Sequence, residues 1–444
     1  MTDTATAPAE ESGPDPAKTM LSREFLGLLV LAALIGAVAA LVAWCFLELI
    51  AHLDTWIYSD LPNGLGFDRT PLWWSLPVLA IAGVIVAFAI ARLPGNGGHV
   101  PANGLSAAPT EPSALPAVVL AGVASIALGA VVGPEAPLIA IGGGLGILSI
   151  RLLRPDAPPQ ATEVIGAAGT FAAVAFLFGS PLIAAVLLIE AAGLGGSKLK
   201  IVLVPGLLAS GIGSLVWIGM GSWTGLSTNA ISISALKLPP FDRPDLADFG
   251  WTIALAVLVA VVTFVIFRIG RGTHRIAVPR PFVVIPLAGL AVAGLAIAFS
   301  QAADKSVSDV LFSGEDSINS LVANPGDWSL SALALLLAFK GLAYGLSVGT
   351  FRGGPTFPAM LLGAAGGMMA AQLPGFDLTP AVAVGIGAAI ASVLRLPLSA
   401  IVLALLLTFP AGPGASPLII VGTLVAYLTS LALSARADAP APAS

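Results

Sequence analysis

The 444-residue chain has one cysteine, three histidines and three tyrosines, and only 10% of its residues are Asp, Glu, Lys or Arg. With Cys45 alone, no intramolecular disulfide can form. His52, His99 and His274 lie far apart in sequence, so a His-rich metal site cannot be built and a Ser-His-Asp triad has little raw material. A membrane-embedded enzyme would need a clustered nucleophile–base pair or a set of metal ligands, and the sequence offers neither. No enzyme activity, metal or cofactor is therefore expected. The net charge of −5 leaves no basic face for nucleic acid.

In place of charge the chain has apolar and small residues. It is 57% hydrophobic, with 50 glycines and 35 prolines and a mean hydropathy of +0.98. A soluble domain carries about 25% charged residues, with Gly near 7% and Pro near 5%. This is the composition of an integral membrane protein whose partner is the lipid bilayer. Small residues let helices approach closely in lipid, and broken helices survive there only where protein or a cavity covers them.

Residues 1–19 are polar and aperiodic and read as a disordered tail; residues 437–444 form a second short tail. Between them a single membrane domain, 20–436, is expected. Its first apolar run, from Phe25 to about Leu53, is long enough to span and reads as a first helix rather than a cleavable signal. Glu48, towards its end, reads as a residue near the water interface. Further spans are expected at about 72–91, 115–132, 136–152 and 199–220. Helical halves at 163–178 and 181–193 are separated by Gly179-Ser180-Pro181. A Pro-containing stretch, 222–248, reads as a connector between halves. Spans at about 249–267 and 281–299 enclose Arg268, Arg271, Arg275 and Arg280, the densest basic loop, which places it in the cytoplasm. A polar excursion covers 301–328, and apolar segments follow at about 329–346, 356–373, 380–394, 397–409 and 416–434.

One stretch occurs twice. Gly133-Pro134-Glu135-Ala136-Pro137, continued by LIAIGGGLG, reads G-P-x-x-P-x4-G-x3-G. Gly354-Pro355-Thr356-Phe357-Pro358, continued by AMLLGAAGG, reads the same way 221 residues later. A second match pairs Gly169–Leu188 with Gly385–Ala404 at an offset of 216. Two ordered matches predict two related halves, about 25–220 and 249–434. Paired Gly/Pro interruptions at corresponding places in two halves point to a transporter's binding site.

A helix that starts inside the membrane leaves its first N–H groups unpaired and turns its positive dipole end to the cavity. Such an end binds anions. Two of them facing each other would hold a small desolvated anion without Lys or Arg, so that the ion could still leave. Backbone amides around Gly133, Ala136, Thr356 and Phe357 are the candidate ligands. Glu135 starts the first such helix, and its carboxylate could take the anion's place and be displaced or protonated; the alternative is a simple helix cap. Glu190, in LLIEAAG, is either a functional intramembrane carboxylate, as on a proton path, or a helix-end residue. Arg352 suits an anion-attracting vestibule or an interfacial position.

These residues resemble the CLC family of chloride channels and proton-coupled chloride antiporters. GPEAP is similar to the family's G-R-E-G-P, which implies that Glu135 is the gating glutamate. GGPTFPAMLLGAAGG is similar to G-x-F-x-P with its following helix, and Gly97-Gly98-His99-Val100-Pro101 to G-S-G-I-P. The latter adds Gly98 and His99 to the implied anion-binding residues. Phe178–Glu190 resembles the stretch ending in a helix-terminal glutamate, and Ser392–Leu403 the S-x-R-x-P-L segment, in which Arg395 reads as structural. The resemblance covers roughly 25–434 and is that of a divergent bacterial-type member without regulatory C-terminal domains. It implies an all-α polytopic fold of two inverted repeats with broken helices, a homodimer with one pathway per subunit, and a bacterial inner-membrane location.

The chain departs from the family pattern at the ion path. Gly98 replaces the serine whose hydroxyl touches the ion, and Pro134 replaces the arginine before the gating glutamate. Pro355 stands where a backbone N–H would face the ion, and proline has none. The pore tyrosine has no counterpart, Tyr427 falling several residues too early. After Glu190, where proton-coupled members carry a second glutamate, this chain has the channel-like Ala191. The expectation is a gated channel for small inorganic anions, chloride first; the alternative is a proton-coupled antiporter of chloride or another halide.

Overall fold

The computed structural model describes residues 20–107, 110–193, 196–224 and 235–438. The expected N-terminal tail, residues 439–444 of the C-terminal one and part of the 222–248 connector lie outside them, while Ala437 and Asp438 end the last helix instead of starting a tail. Among the described residues nine helical stretches are long and apolar enough to cross a membrane.

The first half contains α1 (Arg23–Thr55), α2 (Ser75–Arg92), α3 (Leu115–Ala127), α4 (Glu135–Leu153), α5 (Pro159–Phe178), α6 (Pro181–Ala192) and α7 (Gly196–Thr224). The second contains α8 (Leu246–Ala277), α9 (Pro281–Ala303), α10 (Glu315–Ala323), α11 (Leu330–Thr350), α12 (Thr356–Ala370), α13 (Leu378–Leu394), α14 (Pro397–Thr408) and α15 (Ser416–Asp438). Proline opens α5, α6, α9 and α14, where its missing N–H costs nothing. Gly179 ends α5 in the left-handed conformation at φ 61°, and Ser180 then caps α6 through Ile183 N.

The halves repeat each other in packing as well as in sequence. α4 packs on α5 as α12 packs on α13, α5 on α7 as α13 on α15, and α1 on α7 as α8 on α15. The repeated G-x3-G explains the first of these. A Cβ on Gly142 would collide with Gly169 O, and one on Gly363 with Gly385 O. Gly146 and Gly367 meet the carbonyls of Ile165 and Ala381 in the same way. The glycines are thus where two backbones touch, the packing that lipid-embedded helices use in place of a hydrophobic drive. The offset falls from 221 to 216 because α12 is four residues shorter than α4 and α13 reaches Gly385 three residues sooner than α5 reaches Gly169, while the connector 371–377 is two residues longer than 154–158.

Equivalent helices also meet each other: α2 packs on α9 and α6 on α14. Self-pairing of equivalents marks a pseudo-two-fold axis. Since α4 and α12 approach head to head, that axis lies across the helices and the repeats are inverted.

Two expectations need correction. The basic loop is helix: α8 continues to Ala277, so Arg268, Arg271 and Arg275 sit on its last turns, where the dipole favours cations. α3 stops at Ala127 rather than near 132. Gly129, at φ 97°, turns the chain out of the helix, and residues 128–134 run irregularly towards the middle of the molecule. Their backbone is not left bare. Leu128 O accepts from Tyr58 Oη at 2.9 Å, Gly129 O from Phe312 N at 3.1 Å, and Val131 N donates to Ser347 Oγ at 3.1 Å, as lipid requires of broken helices.

Candidate anion site

The two copies of the repeated motif lie against each other. Gly133 N donates to Gly354 O at 2.7 Å and Gly354 N donates to Gly133 O at 2.5 Å, an isolated antiparallel bridge. The flanking amides are held reciprocally across the halves. Val131 N takes Ser347 Oγ of the second half, and Arg352 N takes Ser125 Oγ of the first at 3.0 Å. Both serines are fully buried. The bridge therefore fixes where α4 and α12 begin, one just beyond each glycine.

Pro134 and Pro355 occupy the N-cap positions of α4 and α12. Neither has an N–H, so the first free amides are those of Glu135 and Thr356. Glu135 is 1% exposed, and its Oε1 accepts from Thr356 N at 2.5 Å. The carboxylate of one half thus sits on the N-terminus of the other half's helix. A Cβ at Gly133 or at Gly354 would overlap this carboxylate, so both glycines are required by its position. The second oxygen, Oε2, is buried without a hydrogen-bond partner, and so is Thr356 Oγ1. Phe357 packs beside them, its ring stacked on Phe178 with centroids 5.9 Å apart.

One charge-assisted hydrogen bond contributes about 1.5–3 kcal/mol, and a helix N-terminus up to about 2 kcal/mol. Withdrawing a carboxylate from water costs several kcal/mol. The carboxylate thus sits where an anion would bind at this helix N-terminus.

The remaining predicted residues are placed as follows. Ala136 is the second residue of α4. Gly98 and His99 lie in the turn before α3; His99 Nε2 pairs with Gly104 O at 2.9 Å. This turn reaches the second motif through Arg352, whose Nε donates to Asn96 O at 3.4 Å and Nη1 to Phe351 O at 3.2 Å. Arg352 is only 5% exposed, so it is neither an open vestibule charge nor an interfacial one; it ties the first motif's turn to the second half. Glu190 is spent on α14. Its carboxylate accepts from Leu398 N at 3.0 Å, Ser399 N at 2.7 Å and Ser399 Oγ at 2.6 Å. α14 has no side-chain cap of its own, and Glu190 supplies one.

Two residues outside the sequence motifs, both on α11, also reach the motif or its surroundings. Tyr344 Oη donates to Pro355 O at 2.5 Å, bringing a tyrosine to the motif from an unexpected helix. Lys340, one turn away and fully buried, donates to the carbonyls of Asp309, Val310, Leu311 and Phe312 at 3.0–3.3 Å. It is the only charged residue in α11, and a lone lysine inside an apolar helix was the signal to follow.

A cavity of about 540 Å³ reaches Pro134 and is walled by Tyr58, Ser59, Thr70, Ser306 and Ser308. It opens towards the polar excursion that follows α9. The arginines precede α9, which crosses between them, so this cavity and the basic end of α8 lie on opposite faces.

Known proteins agree with this architecture. The chain is 28% identical over 354 residues to YfeO of Escherichia fergusonii, a protein named for ion transport, covering 78% of this chain and 80% of the relative. YfeO of Escherichia coli O1:K1 / APEC is likewise 28% identical over 355 residues, with the same coverage. A slow cyanobacterial Cl⁻/H⁺ antiporter has the same fold, with a TM-score of 0.72 at 19% identity over 91% of this chain and 94% of that one. So does a CLC-type fluoride/proton antiporter, with a TM-score of 0.70 at 18% identity over 92% and 96%. The sequence profile described as voltage gated chloride channel matches residues 103–431, and the chain is a multi-pass membrane protein that belongs to this family of anion transporters.

Proposed function

We propose that the chain is a gated CLC-type channel for small inorganic anions, chloride first, with Glu135 as its gate. The observation that carries this reading is the Glu135 carboxylate resting on the Thr356 amide, between two glycines that leave room for nothing larger. It occupies the place of an anion at two converging helix N-termini. When it leaves, the amides around Gly133–Ala136 and Thr356–Phe357 coordinate the ion in its stead. Ala191, where a second glutamate would be needed to pass protons inward, favours the channel. We place the protein in a bacterial plasma membrane as a homodimer with one pathway per subunit.

Proton-coupled exchange of chloride or another halide is the second reading. It is supported by the partnerless Glu135 Oε2, a place for a proton, and by the two antiporters that share the fold. Proteoliposomes loaded with chloride, with external pH recorded during efflux, separate the two. A channel releases chloride without proton movement, and Glu135→Ala speeds the release. Stoichiometric proton uptake lost in Glu135→Ala would establish the antiporter, and the absence of chloride flux would exclude chloride as the substrate.

A further inference from the structure

Behind the seat stands a hydroxyl that never faces it. Tyr344 Oη donates to Pro355 O at 2.5 Å, and the following amide, Thr356 N, donates to Glu135 Oε1 at 2.5 Å. Carbonyl and amide belong to the same peptide group. That peptide is trans, as every described one is, and in a planar trans peptide the C=O and the N–H point in opposite directions. Tyrosine, peptide and carboxylate therefore form one chain, O–H···O=C–N–H···O, with the hydroxyl on the side of the peptide away from the seat.

The surroundings hold this chain in place. Tyr344 is 1% exposed, and its ring packs edge-on against Phe267 with centroids 5.8 Å apart. Its neighbours on the same face of α11 fix the helix. Lys340, four residues earlier, holds the carbonyls of Asp309 to Phe312, and Ser347, three residues later, holds Val131 N at 3.1 Å. The first half lacks the device. Ser125 is the only hydroxyl-bearing residue of α3 and is bonded to Arg352 N, while Pro134 O is held by Leu138 N of its own helix at 3.1 Å. Only the second helix start has a side-chain donor behind its first peptide.

We infer that Tyr344 is a positioning residue for anion binding: its hydroxyl polarises the Pro355–Thr356 peptide and locks it with the amide turned to the seat. As a statement about anions this rests on the anion-transport reading; the hydrogen-bond chain itself does not. A donor on the carbonyl draws electron density towards oxygen and makes the N–H a stronger donor, the mutual strengthening of bonds in a chain. The lock matters as well. A peptide turned half round would show Pro355 O to the seat, and a carbonyl dipole there repels what the amide attracts. Proline at the N-cap makes this amide the first that α12 has, so no earlier N–H stands in for it.

The sequence contains two Pro-Thr peptides, Pro109–Thr110 and Pro355–Thr356. Full-length protein labelled at the proline carbonyl carbon and the threonine nitrogen thus gives two signals in a carbonyl–amide correlation spectrum, the second an internal reference for the first. Tyr344→Phe, which removes only the hydroxyl, should move the Thr356 amide proton upfield and leave the Thr110 signal in place. Fluorotyrosine in place of the three tyrosines, a stronger donor, should move it downfield and tighten chloride binding without any substitution. Chloride titrated into the Glu135→Ala protein, whose seat is open, should bind roughly two- to fivefold more weakly once Tyr344→Phe is added. The loss should be larger for fluoride, with its shorter hydrogen bonds, than for bromide. Phe267→Leu, which loosens the ring and keeps the hydroxyl, should lower thermal stability without changing the order of the anions. The same change of order there would assign the effect to packing and overturn the inference. Chloride binding unchanged by Tyr344→Phe would also overturn it, whatever the Thr356 signal does, and leave the transport reading intact. A Thr356 signal that moves in a protein taking up no halide would sustain the polarised peptide and remove the transport reading instead.

Discussion

The segments Val131–Glu135 and Arg352–Thr356 differ in almost nothing that the backbone does. Each leaves a helix, gives one amide to a serine of the other half, pairs its glycine with the other's glycine, and starts a helix behind a proline. The side chains break the symmetry. The first half has Glu135 where the second has Thr356, and Pro134 O accepts from Leu138 N at 3.1 Å while Pro355 O accepts from the Tyr344 hydroxyl. In the proposed reading the repeated backbone builds the anion seat, and the unrepeated side chains make its two sides unequal.

Moving the carboxylate tests that division most severely. Displacing Glu135 breaks a hydrogen bond of about 1.5–3 kcal/mol, equivalent to roughly ten- to hundredfold in rate. Flux in Glu135→Thr should rise by that order. Adding Thr356→Glu should restore closure, because a carboxylate on α12 then faces the amide that starts α4, and rectification should reverse between inward and outward gradients. An unchanged direction of rectification would show that the seat is not two-fold. A smaller effect is expected where the halves are alike. Gly142→Ala and Gly363→Ala each force a methyl into a facing carbonyl, at about 1–3 kcal/mol of overpacking. Their losses of thermal stability should match; unequal losses would mean that one helix crossing gives way and the other does not. The smallest effect belongs to a contact made in one direction only. Leu406 stands in the second half where the first has Glu190, so only α14 is capped across the halves. Glu190→Ala should cost about 0.5–2 kcal/mol in denaturation of the detergent-solubilised protein, while proton movement during chloride flux stays unchanged. A change in proton movement would restore Glu190 to the ion mechanism.

The parts of the molecule that were readable from sequence are those that the duplication wrote twice. The paired GPxxP interruptions located both helix starts, and the G-x3-G located both close crossings, because only glycine permits backbones to touch. Glu135 stands out in the sequence as a carboxylate at a helix start deep in apolar sequence, and the structure puts it at the first residue of α4, against α12. Tyr344 and Lys340 were not, since the apolar run of α11 has no period that shows which side turns to the motif. In sequence Arg352 suits an exposed or interfacial position because arginine so seldom lies under protein; its partners are backbone carbonyls, which leave no trace in sequence. The arginines after residue 267 resemble a loop in sequence because polarity resembles an aqueous turn, whereas α8 carries on through them to Ala277.

The Gly133–Gly354 bridge also bears on how the protein is made. The two walls of the anion seat are encoded 221 residues apart, and the second wall leaves the ribosome last. Until Thr356 arrives there is no amide for Glu135 to rest on and no second helix end to complete an ion-binding surface. In the proposed reading, a half-made chain therefore carries only half of the seat, which forms when the two motifs meet.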